Sequence, residues 1–448
     1  MINKNTDNRR IFSIAAPLIF QQIFMQLQIY VDRAFLGRVD SQLFSAIRNV
    51  LVPYYAIVSI ITAICTGTTI LIAHNTGAGN EVMCKKYAQS SFSGNIIISI
   101  IAFLFFFFGS GFIFSLMGVK PPILDYSVSY LKILSFSLLI SGIYSTAVSV
   151  MQGIGLTKII MVTGVISNLL NIILDYILIF GKFGIPQMGI EGAALASVIS
   201  IAAASPVIII YVFKSKKIPF NINLRDVVRS DLNLYKQVLK KGLPTGFEIG
   251  LWNIGNIIVI SFLNRLEAVS VGVYTMIFSI QLVPLFFYNG LAQAALTLVG
   301  IKTGEGKHKQ ALDTGFKALL YSFIFCAVFA VIFIIFPEEI MSVFTPDVSF
   351  IETASKYFLV IAVTMFPKAL NVIMGHSIRG MGDTKWMMYT QVFGTVLVIV
   401  LSYILTFTAG LGLMGIFITF LADETARGLI NTLRFRRGRE FYRLKPLP

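Results

Sequence analysis

Charge is the scarcest commodity in this sequence. Only 13% of its 448 residues are Asp, Glu, Lys or Arg, about half of the roughly 25% found in a soluble globular chain. Hydrophobic residues make up 56% and the mean hydropathy is +0.81. That shortage excludes a soluble multidomain enzyme and a disordered protein. Cysteine is nearly missing: Cys65, Cys84 and Cys326 are odd in number and far apart, which excludes a disulfide scaffold and a CxxC metal site and leaves packing residues. Three histidines, His74, His308 and His376, are too few and too scattered for a metal cluster. HExxH, GxSxG and clustered His/Asp sets are all missing, so the chain is expected not to be an enzyme and to need no cofactor.

Long apolar runs are what the sequence has instead. Crossing the hydrocarbon takes about 20 mostly apolar residues, and twelve stretches qualify: 11–36, 46–73, 88–116, 123–152, 158–181, 188–213, 234–264, 269–301, 312–337, 351–378, 385–409 and 411–434. The expected fold is therefore an all-α polytopic membrane protein with twelve transmembrane helices. The first stretch is too long for a cleavable signal, holds Gln21, Gln22, Gln26 and Gln28, and has no small-residue cleavage site. Glutamines at that depth are expected to face protein or a water-filled cavity.

The net charge of +15 is distributed by side rather than by patch. With the N-terminus in the cytoplasm, about 25 Lys and Arg fall on inward segments and about 4 (Arg38, Lys120, Lys182, Arg265) on outward loops. The basic balance is thus a topology signal and not a nucleic-acid footprint. It predicts a multi-pass protein of the cell membrane, surrounded by lipid, with both termini cytoplasmic.

A repeat organises the chain. QGIGLTK at 152–158 recurs as RGMGDTK at 379–385, an offset of 227. The same offset carries Pro17 onto Pro244, and Thr76, Gly77 and Gly79 onto Thr303, Gly304 and Gly306. Each repeat has an even number of spans, so this is a parallel duplication about an axis along the membrane normal. The expected domains are an N-terminal six-helix lobe at 1–213, a cytoplasmic linker at 214–233 (KSKKIPFNINLRDVVRSDLN) and a C-terminal six-helix lobe at 234–448. Two such lobes imply a central cavity and rocking between inward-open and outward-open forms, and a core of that kind is expected to work as a monomer. Pro17 and Pro244 are expected to kink their spans rather than break them. The GxGxTK turns are not phosphate cradles, since no strand precedes them and the Walker spacing is missing.

An ionisable residue at mid-bilayer costs about 2.5–3.5 kcal/mol on insertion scales, so each needs a reason. Lys132, Lys317, Lys356 and Arg427 lie close enough to span ends to snorkel. Asp32 lies about 7 Å below the outer end of span one and Asp175 about 9 Å below that of span five, at 1.5 Å per residue. Asn171 and Asn168 extend a polar stripe on the Asp175 face, and Ser197 lies about 13 Å into span six. Asp32, Asn171, Asp175 and Ser197 are expected to converge. Their oxygens suit a hard cation such as Na⁺, and two desolvated carboxylates side by side titrate as a coupled pair; either property lets the site bind Na⁺ or H⁺ in competition with a conformational change. The structural alternative pairs Asp32 with Arg33, but adjacent residues do not face each other on a helix.

The offset places Val259 and Ser402 where the first half has Asp32 and Asp175, so the second half lacks this set. It has Glu248 and Lys368 instead, for which a buried Glu–Lys pair is the preferred reading and a substrate contact the lesser one. Tyr30, Tyr144 and Phe247, with Gln28 and Asn168, are candidates for lining a cavity that takes flat cationic ligands.

These segments resemble the multidrug and toxic compound extrusion (MATE) family. The resemblance rests on VDRAFLG at 31–37, Pro17 and Pro244, TGAGN at 76–80, the paired GxGxTK loops, SNLLNIILDYILIFG at 167–181 and MGIEGAALASVIS at 188–200, and spans essentially the whole chain. It implies two six-helix lobes that export amphipathic or cationic small molecules in exchange for Na⁺ or H⁺. The family's N-lobe cation site maps onto Asp32, Asn171, Asp175 and, with Ser in place of the common Thr, Ser197. Where one branch of the family has a tenth-span Asp, this chain has Lys368, which favours N-lobe coupling. Arg33 departs from the small or hydroxyl residue many members carry. A lipid-linked oligosaccharide flippase of the same superfamily is the alternative, but a pyrophosphate headgroup calls for several cavity cations and only Arg33 and Lys368 lie deep. No pore-lining repeat of a channel is visible.

Overall fold

A computed structural model describes the backbone of residues 4–36 and 41–443, and the side chains of these except 4–7, 33, 36, 41–45, 48 and 439–443. The GR pair at 37–38 and the side chain of Arg33 therefore lie outside the described residues. Among those described there is no strand.

In chain order the helices are α1 (Lys4–Leu36), α2 (Ser41–Gly77), α3 (Glu81–Leu116), α4 (Ile123–Gly153), α5 (Thr157–Phe180), α6 (Gly189–Lys214), a short α7 (Leu224–Val228), α8 (Leu232–Leu263), α9 (Ala268–Gly304), α10 (His308–Ile335), α11 (Pro337–Ser342), α12 (Val348–Ser355), α13 (Phe358–Gly380), α14 (Thr384–Tyr403) and α15 (Gly412–Arg443). Eleven of them are long and apolar enough to cross a membrane. The twelfth expected span is α15, whose apolar run is interrupted by Asp423, Glu424 and Arg427. The expected span at 351–378 is divided: α12 ends at Ser355 and α13 begins at Phe358. α1 and α8 continue through Pro17 and Pro244.

Contacts group the described chain into two units, one of residues 4–19 with 247–443 and the other of Phe20–Gly246. This differs from a division at 213 and 234, because α1 and α8 each change unit partway along, at positions 227 residues apart. The start of α8 is anchored in the Phe20–Gly246 unit by Tyr235. Its ring fills the space that a side chain at Gly94 would occupy, and its hydroxyl donates to Asn95 Oδ1 at 2.7 Å. Asn95 in turn donates to Thr146 Oγ1 at 2.7 Å. The 214–233 segment is held on α3: Lys85 pairs with Asp226 at 2.8 Å, Gln89 donates to the same carboxylate at 3.1 Å, and Val227 is buried.

The duplication is visible in the packing. In lipid there is no hydrophobic force between helices, so close approach at small residues does the holding. A Cβ on Gly153 would meet the Thr69 carbonyl oxygen at 3.1 Å, and one on Gly380 the Leu296 carbonyl oxygen at 2.6 Å, both pairs being 227 apart. Likewise Gly242 lies against Ala63 and Ile64 in one unit, and Gly290 against Ala15 and Ile19 in the other. The repeated turns match too: Gly155 and Gly382 have φ of 81° and 91°, a left-handed conformation that glycine reaches without steric cost. The offset drops to 223 in the last span. Gly189 and Gly412 both have φ 54°, and Gly192 packs on Leu178 as Gly415 packs on Leu405. The cause is the connection before α15, Ala409–Leu411, which is shorter than the one before α6.

Two outcomes follow from this packing. Gly242→Val forces a side chain into the Ile64 carbonyl at 2.7 Å and is expected to cost about 1–3 kcal/mol, lowering the apparent Tm of the detergent-solubilised protein, whereas Gly250→Ala, which meets nothing within 4 Å, leaves it unchanged or raises it. The Lys85 ammonium beside Asp226, helped by Gln89, holds the Asp226 carboxyl below the usual carboxylate range. A carboxyl lowered in the folded state contributes attachment above its ordinary range and loses it as pH falls through the lowered value, so limited proteolysis should cut 214–233 faster in acid, and Asp226→Asn should remove that pH dependence.

Candidate cation site and its relatives

The polar stripe on α5 forms because Asn168, Asn171 and Asp175 fall three and four residues apart, hence on one helical face. All three are buried, with Asp175 only 1% exposed. The stripe meets α1 at Gln28 and Asp32, themselves four apart. Gln28 Nε2 donates to Asp32 Oδ2 at 3.3 Å and also to Asn171 Oδ1. Asn171 Nδ2 reaches Ser197 Oγ on α6 at 3.5 Å. The carboxyl groups of Asp32 and Asp175 lie within hydrogen-bonding contact of each other, and the Oδ1 atom of each is buried without a protein partner. The four residues expected to converge do so.

Two like charges cannot share so small a volume unless a proton or a cation sits between them. The donor set, two unpartnered carboxylate oxygens with an amide and a hydroxyl beside them, fits H⁺ or Na⁺. It does not resemble a transition-metal site, and among the described residues no three His, Cys, Asp or Glu side chains gather.

Of the expected cavity residues, Gln28 belongs to this cluster as the bridge between its two helices. Tyr30, two positions on and so about 200° around the helix, is exposed. Tyr144 contacts Thr163 of α5, about 12 Å along that helix from Asn171, and is separate from the acids. Tyr130 on α4, buried, lies near both carboxylates. Sequence reasoning missed it because an apolar-looking aromatic in span four carries no polar periodicity.

The other unit corrects two expectations. Glu248 does not pair with Lys368: it forms a salt bridge with Arg379, and Arg379 also approaches His376 Nδ1 at 3.2 Å. Arg427 does not snorkel: it is buried, donating from Nε to Asp423 Oδ1 at 2.8 Å and from Nη1 to Gln391 at 2.9 Å. Arg379, Asp423 and Glu424 were not singled out in the sequence. Asp423 and Arg427 are four apart, the i,i+4 spacing that signals a helical ion pair.

Comparison with known proteins identifies the family. The MatE family profile matches twice, at 17–177 and 244–404, repeating at the offset of 227. The chain belongs to the MatE family. Members of this family are transporters, so this MatE chain is a multi-pass membrane transporter and not an enzyme. It is similar to "Uncharacterized transporter YisQ" of Bacillus subtilis, at 27% identity over 95% of this chain and 93% of that one. It is also similar to "Probable multidrug resistance protein NorM" of Thermotoga maritima, at 25% identity over 96% and 92%. The solved structure "Outward-facing conformation of a multidrug resistance MATE family transporter of the MOP superfamily" superposes with a TM-score of 0.91, at 19% identity, covering 98% of this chain and 97% of that chain. "Reverse polarity of binding pocket suggests different function of a MOP superfamily transporter" from Pyrococcus furiosus superposes at 0.88 with the same identity and coverage. At that identity the structures show the fold alone, and they bear out the all-helical reading.

In this MatE chain the Asp423–Arg427 pair is sealed from water, so removing one partner strands a buried charge at about 3–5 kcal/mol. Arg427→Met alone should lower the apparent Tm sharply, while Asp423→Asn combined with Arg427→Met recovers a large part of the loss. Additive losses in that double-mutant cycle would contradict the pairing.

Proposed function

We propose that this chain is a cation-coupled antiporter that exports amphipathic or cationic small molecules by alternating access, coupled to Na⁺ or H⁺ at Asp32, Asn171, Asp175 and Ser197. The observation that carries the proposal is the contact between the Asp32 and Asp175 carboxyls, each with a buried unpartnered oxygen. The names of similar proteins, which include probable multidrug resistance proteins, support the substrate class.

A proton or Na⁺ taken up between the acids cancels their repulsion and draws α1 and α5 together. Its loss restores repulsion across that same contact. Gln28, a residue of α1 bonded to Asp32 on the same helix, ties α1 to α5 by donating to Asn171. The response reaches beyond the pocket through the backbone: α1 supplies residues 4–19 to one unit and 20–36 to the other. The Lys and Arg bias of the loops orients the transporter in the cell membrane with both termini in the cytoplasm. No separate cofactor enters this scheme, and one chain suffices. The flippase reading gains nothing from the unit of residues 4–19 and 247–443, where Arg379 and Arg427 are each neutralised by an acid, and among the described deep cations of that unit Lys368 is left to meet a pyrophosphate.

In proteoliposomes carrying separately imposed Na⁺ and pH gradients, dye export should follow one of the two. Asp32→Asn and Asp175→Asn should each reduce gradient-driven export to background, at least tenfold, while the protein is present in the membrane at wild-type level. Full transport by both variants would overturn the coupling site.

A further inference from the structure

The connection between the two repeats is docked along α3. Alternate residues Ile218, Phe220 and Ile222 are buried, while Lys217, Pro219 and Asn221, which alternate with them, are exposed. In α7, Val227 is buried and Asp226 is held by Lys85 and Gln89. Ser93 donates to the Val227 carbonyl oxygen, Ser230 to Ser93 Oγ at 2.8 Å, and Ser90 to the Asp231 carbonyl oxygen at 2.8 Å. These anchors fix the inward face of the segment, and its outward face is set with it.

That outward face is both apolar and cationic. Leu224 and Val228, four apart on one side of α7, are 73% and 86% exposed. Arg225 and Arg229, also four apart and about 100° further round the helix, are exposed beside them, as are Lys214, Lys216 and Lys217. Against these five cations residues 214–229 hold one acid, Asp226, which Lys85 takes. Asp231 lies beyond them, accepting from the Asn233 N–H at 2.8 Å at the start of α8.

The level of this face follows from α3. Beyond Val82, large apolar side chains of α3 are exposed from Ile97 to Leu116, among them Ile101, Phe105, Phe108 and Phe112. That stretch rises about 30 Å, the thickness of the hydrocarbon core. Ser93 precedes Ile97 by about 6 Å and Gln89 by about 12 Å along the helix. The headgroup zone is about 5–8 Å deep on each side, so α7, bonded to both residues, lies against the headgroups.

We propose that the outward face of 214–229 binds anionic phospholipid of the adjoining leaflet, with phosphates on Arg225 and Arg229 and the Leu224–Val228 pair entering the boundary between headgroups and acyl chains. A guanidinium takes two phosphate oxygens at once, and apolar side chains beside it at this depth exchange water for the edge of the chains. A zwitterionic leaflet brings a cation with every phosphate and attracts the basic cluster weakly, whereas an anionic one attracts all of it. Free phosphate would satisfy the arginines and leave Leu224 and Val228 in water. None of the coupling residues takes part: the leaflet grips the side of the connection that α3 leaves open.

The test uses full-length protein and no ion gradient, so its outcome is independent of ion coupling. Native mass spectrometry in a neutral detergent would measure affinity for phosphatidylglycerol and for phosphatidylcholine with the same acyl chains. The wild type is expected to prefer the anionic lipid by about tenfold. Arg225→Gln with Arg229→Gln should cut that preference to about threefold or less, with the apparent Tm in lipid-free detergent unchanged, and Arg225→Lys with Arg229→Lys should keep most of it. A bimane label on Val228→Cys, the native cysteines being buried, should be quenched in phosphatidylglycerol nanodiscs by a nitroxide carried near the headgroup end of an acyl chain. An undiminished preference in the double Gln variant, or a label that the nitroxide lipid leaves unquenched, would overturn the proposal. Displacement of phosphatidylglycerol by an equal concentration of inorganic phosphate would assign the face to a soluble anion and overturn it as well.

Discussion

Two carboxylates pressed together inside an apolar helix bundle cannot both be charged without something positive between them. That constraint at Asp32 and Asp175 gives the rest of the structure its meaning. A single proton or Na⁺ satisfies it, and each has to arrive from water and return to it. The surroundings hold the pair in place: Asp175 is buried on α5, and the Gln28 amide, donating to both Asp32 and Asn171, ties the Asp32 end of α1 to α5. Neutralising the pair with a basic residue would remove the repulsion permanently, and with it the capacity to respond to an ion.

The second repeat has no such pair. Its scaffold matches the first closely, down to the glycine contacts at Gly153 and Gly380 and at Gly242 and Gly290, but Val259 and Ser402 replace the acids. Its own charges are balanced in sign. Glu248 pairs with Arg379, and Arg427 pairs with Asp423 and, at 3.8 Å, with Glu424, contacts that are costly to break. Duplication thus supplied two copies of one frame, and their polar contents have diverged: like charges awaiting a cation in one, complementary charges in the other.

Much of this was legible in the residues. The spans follow from uninterrupted apolar length, the repeat from a single offset, and the α5 stripe from the three- and four-residue spacing of Asn168, Asn171 and Asp175. Depth counting brought Asp32 to the same level because α1 and α5 run in the same direction. What could not be read was rotation. Glu248 and Lys368 lie at comparable depth, but the turn of α13 brings Arg379, eleven residues further along, to Glu248. Tyr130 was invisible for the same reason, since only the packing of α4 brings it near the acids. The acids of α15 were hidden by context: Arg427, taken alone near a span end, suggested snorkelling, and its i,i+4 partner Asp423 turns it inward. The four-residue shift of register before α15 arises in a loop, where length is least constrained by packing.

The most direct measurement is infrared difference spectroscopy of the substrate-free protein in the carboxyl region, on raising pH and on adding Na⁺. The account predicts a protonated-carboxyl band that one of these changes removes in the wild type, and that neither change alters in Asp32→Asn or Asp175→Asn. A wild-type spectrum insensitive to both ions, or a response that survives in both variants, would contradict it.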